Sequence, residues 1–111
     1  MGKIVKYQDI IILFIKEQAS QKLAMEGVEN QVLVDKEHNH FQLISVGWYK
    51  RQFYHHVVFH FDIKDGKVWI QRNDTELMVA DELIGRGVAR EDIVLGFQPP
   101  YARPYTGFAT A

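Results

Sequence analysis

The side chains of this sequence best suited to proton transfer or metal ligation are five histidines, at positions 38, 40, 55, 56 and 60. Asp62 lies two positions beyond His60. On a β-strand the two would share a face with Cα atoms about 6.6 Å apart, a geometry that allows a histidine–carboxylate pair to work in general acid–base chemistry. The chemical reading on offer is therefore a small hydrolase or nuclease using His56 or His60 with Asp62. Metal binding is a poorer fit. His56 and His60 stand roughly 13 Å apart along a strand at about 3.3 Å per residue, too far to hold one ion together. His55 and His56 point to opposite faces, and His38 and His40, which can approach each other, have no evident third ligand. The spacing favours ordinary sheet and turn histidines, with no metal and no cofactor.

Other chemistry is no better supplied. Glu76, Asp81, Glu82, Glu91 and Asp92 read as a cap and a solvated helix face, because Glu76 and Asp81 do not stack and Asp81 and Glu82 diverge. The sequence has no G-x-S-x-G, P-loop, G-x-G-x-x-G or H-E-x-x-H motif. Gly85-Arg86-Gly87 follows a helical pattern instead of opening one. The 13 basic and 14 acidic residues leave a net charge of −1, so no global field draws a polyanion. Lys50 and Arg51 sit on one loop tip, Lys64 and Lys67 face each other across the Asp65-Gly66 turn and Arg72 lies at that strand's far end. With Tyr49 and Trp69 nearby they argue only weakly for direct DNA binding and read as a solvated sheet end.

The elements that must position these residues follow from periodicity. Tyr7, Ile10, Ile11, Phe14 and Ile15 recur at helical spacing, which predicts an amphipathic helix from about residue 3 to about residue 20. Its apolar run, Ile10 to Ile15, is too short to span a bilayer and lacks a small-residue cleavage site. Period-two segments follow at 30–34, 41–48, 53–63 and 67–72, rich in β-branched and aromatic residues. Short links between them argue for an antiparallel meander of four strands. Asp65-Gly66 predicts a two-residue hairpin loop, setting Lys64 opposite Lys67, Ile63 opposite Val68, Asp62 opposite Trp69 and Phe61 opposite Ile70. Asn73 to Glu76 reads as a helix start before Leu77, Ala80, Leu83 and Ile84, with Gly85 and Gly87 as the stop. Ile93 to Phe97 suits a short strand. Pro99, Pro100 and Pro104 make the last dozen residues an extended tail, expected to bury Tyr105 and Phe108 across the domain or to dock on a partner. The fold expected is α+β in one domain over residues 1–111: N-terminal helix, four-stranded antiparallel meander, second helix and extended C-terminal segment.

A tight loop at Lys50-Arg51 would put Trp48 opposite Phe53, Val46 opposite His55 and Ile44 opposite Val57, all on the buried face of Phe59 and Phe61. Strict alternation then places Leu43, Tyr54, His56, Val58, His60 and Trp69 on the second face. That face is too apolar to stand in water, so these residues, with Arg103 and Tyr105 of the tail, are the expected partner interface. Self-association, most simply as a dimer, would cover them. Substituting Trp69 and Leu43 with charged residues is expected to break the complex while the domain stays folded.

The run Asp62 to Gln71 resembles the XisI-like family, the fdxN element excision controlling factors of cyanobacteria. So do Val46-Gly47-Trp48, Asp81-Glu82-Leu83, Arg90-Glu91-Asp92-Ile93-Val94-Leu95, and the ending Pro99-Pro100 through Ala109. Gln98 and Tyr54-His55-His56 depart from the family pattern. The resemblance implies an accessory factor in programmed DNA excision, associated with a companion called XisH and a site-specific recombinase that performs strand exchange. With no nucleophile–base constellation and no basic field, a non-enzymatic role through protein contact is expected. The absence of cysteine fits a reducing cytoplasm.

Overall fold

Two tight turns and two inserted residues determine which side chains this sheet presents. The computed structural model describes residues 2–21 and 25–111. Helix α1 (Gly2–Gln21) is followed by β1 (Val28–Asp35), β2 (His40–Tyr49), β3 (Gln52–Lys64), β4 (Lys67–Asn73), α2 (Val79–Gly85) and β5 (Ile93–Leu95). The five strands form one sheet in sequence order. The first four pair antiparallel and β5 runs parallel to β4. The expected four-strand antiparallel sheet is thus extended to a five-stranded mixed one, because α2 and its flanking loops supply the long crossover a parallel neighbour needs.

Asp65 and Gly66 both take positive φ, as the tight turn requires, and the predicted pairs from Lys64–Lys67 to Phe61–Ile70 form. The turn at Lys50 is equally tight, and Trp48–Phe53, Val46–His55 and Ile44–Val57 pair as expected. Between these two correctly read ends the register shifts by one residue, from Ile44–Val57 to Leu43–Phe59. Val58 is the extra residue of a β-bulge.

The bulge corrects the face assignment. Leu43 is 0 % exposed and Val58 is buried, both in the core with Phe41, Phe59, Phe61, Ile63, Val68 and Ile70. Ile44, Val46, Trp48, Phe53, His55 and Val57 belong to the opposite, outer face. The core lies between the sheet and the two helices, to which α1 contributes Tyr7, Ile11, Phe14 and Ile15 and α2 contributes Val79 and Leu83. Phe14 meets Phe59 and Phe61 edge-on, at ring distances of 5.3 and 6.1 Å.

The helices are tied to each other and to the sheet edge by polar contacts. Arg86 forms a two-pronged hydrogen bond to Glu17, at 3.2 and 2.8 Å, and lies over the Phe14 ring. The Tyr7 hydroxyl donates to Asp92 at 2.6 Å just before β5. α2 begins later than expected, because Asn73 and Thr75 use their side chains to fold residues 73–77 into a turn. It ends as expected, with Gly87 and Val88 returning hydrogen bonds to Ile84 and Leu83.

The C-terminal segment is not extended. It is a chain of turns with a short 3-10 stretch at Arg103–Tyr105, and Ala109 bridges to Val94. Arg103 donates to the carbonyls of Gln98 and Gly96, which curls the segment on itself. Phe108 packs against the core under Arg90, whereas Tyr105 is 89 % exposed, contrary to expectation. No described helix is long and apolar enough to cross a membrane.

Candidate functional site

The outer sheet face is polar at one end and apolar at the other. At the polar end β2 and β3 set His40 directly opposite Asp62, with His60 two residues before Asp62. His40 Nδ1 lies 2.8 Å from Asp62 Oδ1, and His60 Nε2 lies 2.9 Å from the same oxygen. Gln71 donates to the second oxygen, Oδ2, at 3.1 Å. Gln71 is the extra residue of a second register shift, between β3 and β4, where Phe61 faces Ile70 and His60 faces Arg72. A Cβ on Gly96 would sit 2.2 Å from Gln71 Oε1, so the bare glycine backbone leaves Gln71 room beside β4.

Asp62 is only 8 % exposed. Burial pushes its carboxyl up, but hydrogen bonds from His40, Gln71 and His60 outweigh that and hold it below the ordinary carboxylate range. A depressed folded-state pKa means stability that is fully present at neutral pH and lost as pH falls below about 4 and through the folded value. Denaturant titrations should therefore show the stability gap between the native chain and Asp62→Asn narrowing steadily toward acid. A gap that does not change with pH would remove Asp62 as the acid-sensitive group.

The predicted site residues separate into four environments. His60 and Trp69 remain on the outer face, and Trp69 is sandwiched by Lys64 at 4.2 Å and Arg103 at 5.0 Å. Arg103 thus covers Trp69 from within the chain. Tyr54 and His56, paired with Gly47 and Ser45, project from the helix side of the sheet and meet each other's rings at 5.5 Å. Leu43 and Val58 are in the core, and Tyr105 points to solvent. Of the two histidines considered with Asp62, the structure brings His60 to it and leaves His56 on the other side of the sheet. Sequence reading missed His40 as a partner of Asp62. His38 turns instead to Asp35, at 2.9 Å.

At the apolar end, Ile44, Val46, Trp48, Phe53 and Val57 form a strip on the β2–β3 hairpin. Trp48 is 60 % and Phe53 50 % exposed, their rings 5.2 Å apart. Beside it β3 has an open edge. β4 ends opposite Phe59, so among the described residues no strand pairs with 52–56 on that side, and Arg72 Nε donates to the Val57 carbonyl.

The family model described as XisI protein matches residues 1–110. The crystal structure of a XisI-like protein from Anabaena variabilis superimposes with a TM-score of 0.95 at 46 % identity, covering 98 % of this chain and 100 % of that one. The fdxN element excision controlling factor XisI from the same organism gives a TM-score of 0.85 at 29 % identity, covering 99 % and 100 %. Comparison with curated proteins returns no match. With a whole-chain family match and the same fold in both relatives, this chain belongs to the XisI family.

Proposed function

We propose that this chain is an excision controlling factor that acts by protein contact, binding a XisH-like companion and, through it, a site-specific recombinase. The reading is supported by full-length similarity to a protein named as the fdxN element excision controlling factor. The observation that carries the contact mechanism is the exposed strip on the β2–β3 hairpin. Neighbouring aromatic anchors beside an unpaired strand edge offer a partner both an apolar seat and backbone hydrogen bonds. A net charge of −1 gives no field for holding DNA directly. Burial of Leu43 and Val58 removes them from any interface between copies, and the same hairpin strip is a surface open to a second copy.

The test is the double substitution Trp48→Glu and Phe53→Glu. Each aromatic anchor at an interface centre is worth about 2 kcal/mol or more. Co-purification with the genomically adjacent companion should fall below detection while circular dichroism and the melting temperature stay near native. Retained companion binding would reject the hairpin as the contact surface. Loss of self-association alone would assign the strip to a second copy and reject the companion reading.

A further inference from the structure

We propose that His40, His60 and Asp62 form a binding site for one divalent transition-metal ion of the zinc, cobalt and nickel class. Their ligand atoms all lie within 4.8 Å of one another, on the outer face of two adjacent strands. Both imidazole nitrogens already converge on Asp62 Oδ1, at 2.8 and 2.9 Å, so a small opening of these hydrogen bonds would seat all three ligand atoms around one tetrahedral ion. Two imidazoles and one carboxylate suit borderline metals and do not suit magnesium or calcium, which take oxygen ligands.

The carboxylate is held in place before any ion arrives. Gln71 binds Oδ2 and leaves Oδ1 to the two histidines, the outer-shell support that metal-ligating carboxylates commonly have. Gln71 is therefore a positioning residue. The ion takes the place of the ring protons lying between each nitrogen and Oδ1. Those protons move to the other ring nitrogen, or to water from a doubly protonated ring. The His40 side chain is more than half exposed, so water has access to the remaining coordination positions.

Cobalt(II) and zinc(II) titrations of the full chain, followed by visible absorption and calorimetry, test the site. One equivalent should bind, with intense tetrahedral cobalt bands. His60→Ala and His40→Ala should abolish them, Gln71→Leu should weaken affinity by about 10- to 100-fold, and His56→Ala and His38→Ala should leave it intact. His40 is exposed enough for His40→Ala to fold normally, and melting curves without metal check each variant. No uptake, uptake that survives both His40→Ala and His60→Ala, or equal loss in His38→Ala or His56→Ala would overturn the site.

Discussion

Leu43→Glu is expected to leave no cooperatively folded domain. Leu43 is fully buried opposite Phe59, in the same cluster as Phe14 and Phe61. Truncating a buried leucine to alanine already costs about 2–5 kcal/mol. An ionised carboxylate there adds an uncompensated charge in an apolar environment, which costs still more. Against a typical total of about 5–15 kcal/mol, that removes most or all of the stability. Urea titration followed by circular dichroism should show no native baseline. Trp69→Glu, on the outer face between Lys64 and Arg103, should keep one. A cooperative transition for Leu43→Glu close to the native midpoint would mean that the face assignment given by the bulge is wrong.

That contrast marks what was legible in the sequence. Each hairpin announces its own register: Asp65-Gly66 fixes Phe61 against Ile70, and the tight Lys50-Arg51 loop fixes Trp48 against Phe53. Period-two reasoning then assumes that nothing is inserted between the two ends. Carried from the second loop without a break, it would set Phe41 opposite His60 and His40 opposite Phe61, an apolar–polar mismatch at both pairs. One extra residue at Val58 sets Phe41 opposite Phe61 and His40 opposite Asp62. The consecutive Val57-Val58-Phe59 was the available signal, since three apolar residues in a row cannot alternate between two faces.

The same shift explains why the histidine cluster was only half visible. His60 and Asp62 are two apart on one strand and can be paired by counting. His40 reaches them only through a cross-strand register that the bulge resets. The short strand at Ile93 was expected, but its place in the sheet was hidden for a different reason. Ile93-Val94-Leu95 is three residues long, and its parallel pairing depends on where α2 returns the chain. The tail misled because proline excludes regular ladders without dictating extension. Arg103 folds it back through the carbonyls of Gln98 and Gly96.

Gly47→Ala should damage both stability and partner binding, unlike the hairpin-tip substitutions, which should affect binding alone. Gly47 has φ of 144°, and a Cβ there would lie 1.9 Å from the Gly27 carbonyl oxygen and 2.9 Å from Val28 Cα. Both obstacles are backbone, so no side-chain rotation relieves the clash. Gly27 is equally confined, since its own Cβ would lie 2.2 Å from the Trp48 carbonyl oxygen. Gly47 of β2 packs against Gly27 in the turn just before β1, and an added methyl must open the Val28–Gly47 pair that starts β1. The unfavourable φ alone costs about 1–3 kcal/mol, and exposure of the buried Val28 adds to it. At about 4–8 °C per kcal/mol for a small domain, the melting temperature should fall by roughly 10 °C or more. Gly85→Ala is the control, because Gly85 lies in α2 with open space where its Cβ would go. It should be neutral or slightly stabilising. Equal melting temperatures for the two variants would show that the β1–β2 contact tolerates a side chain. It would also separate the position of the Trp48 strip from the close approach of Gly27 and Gly47.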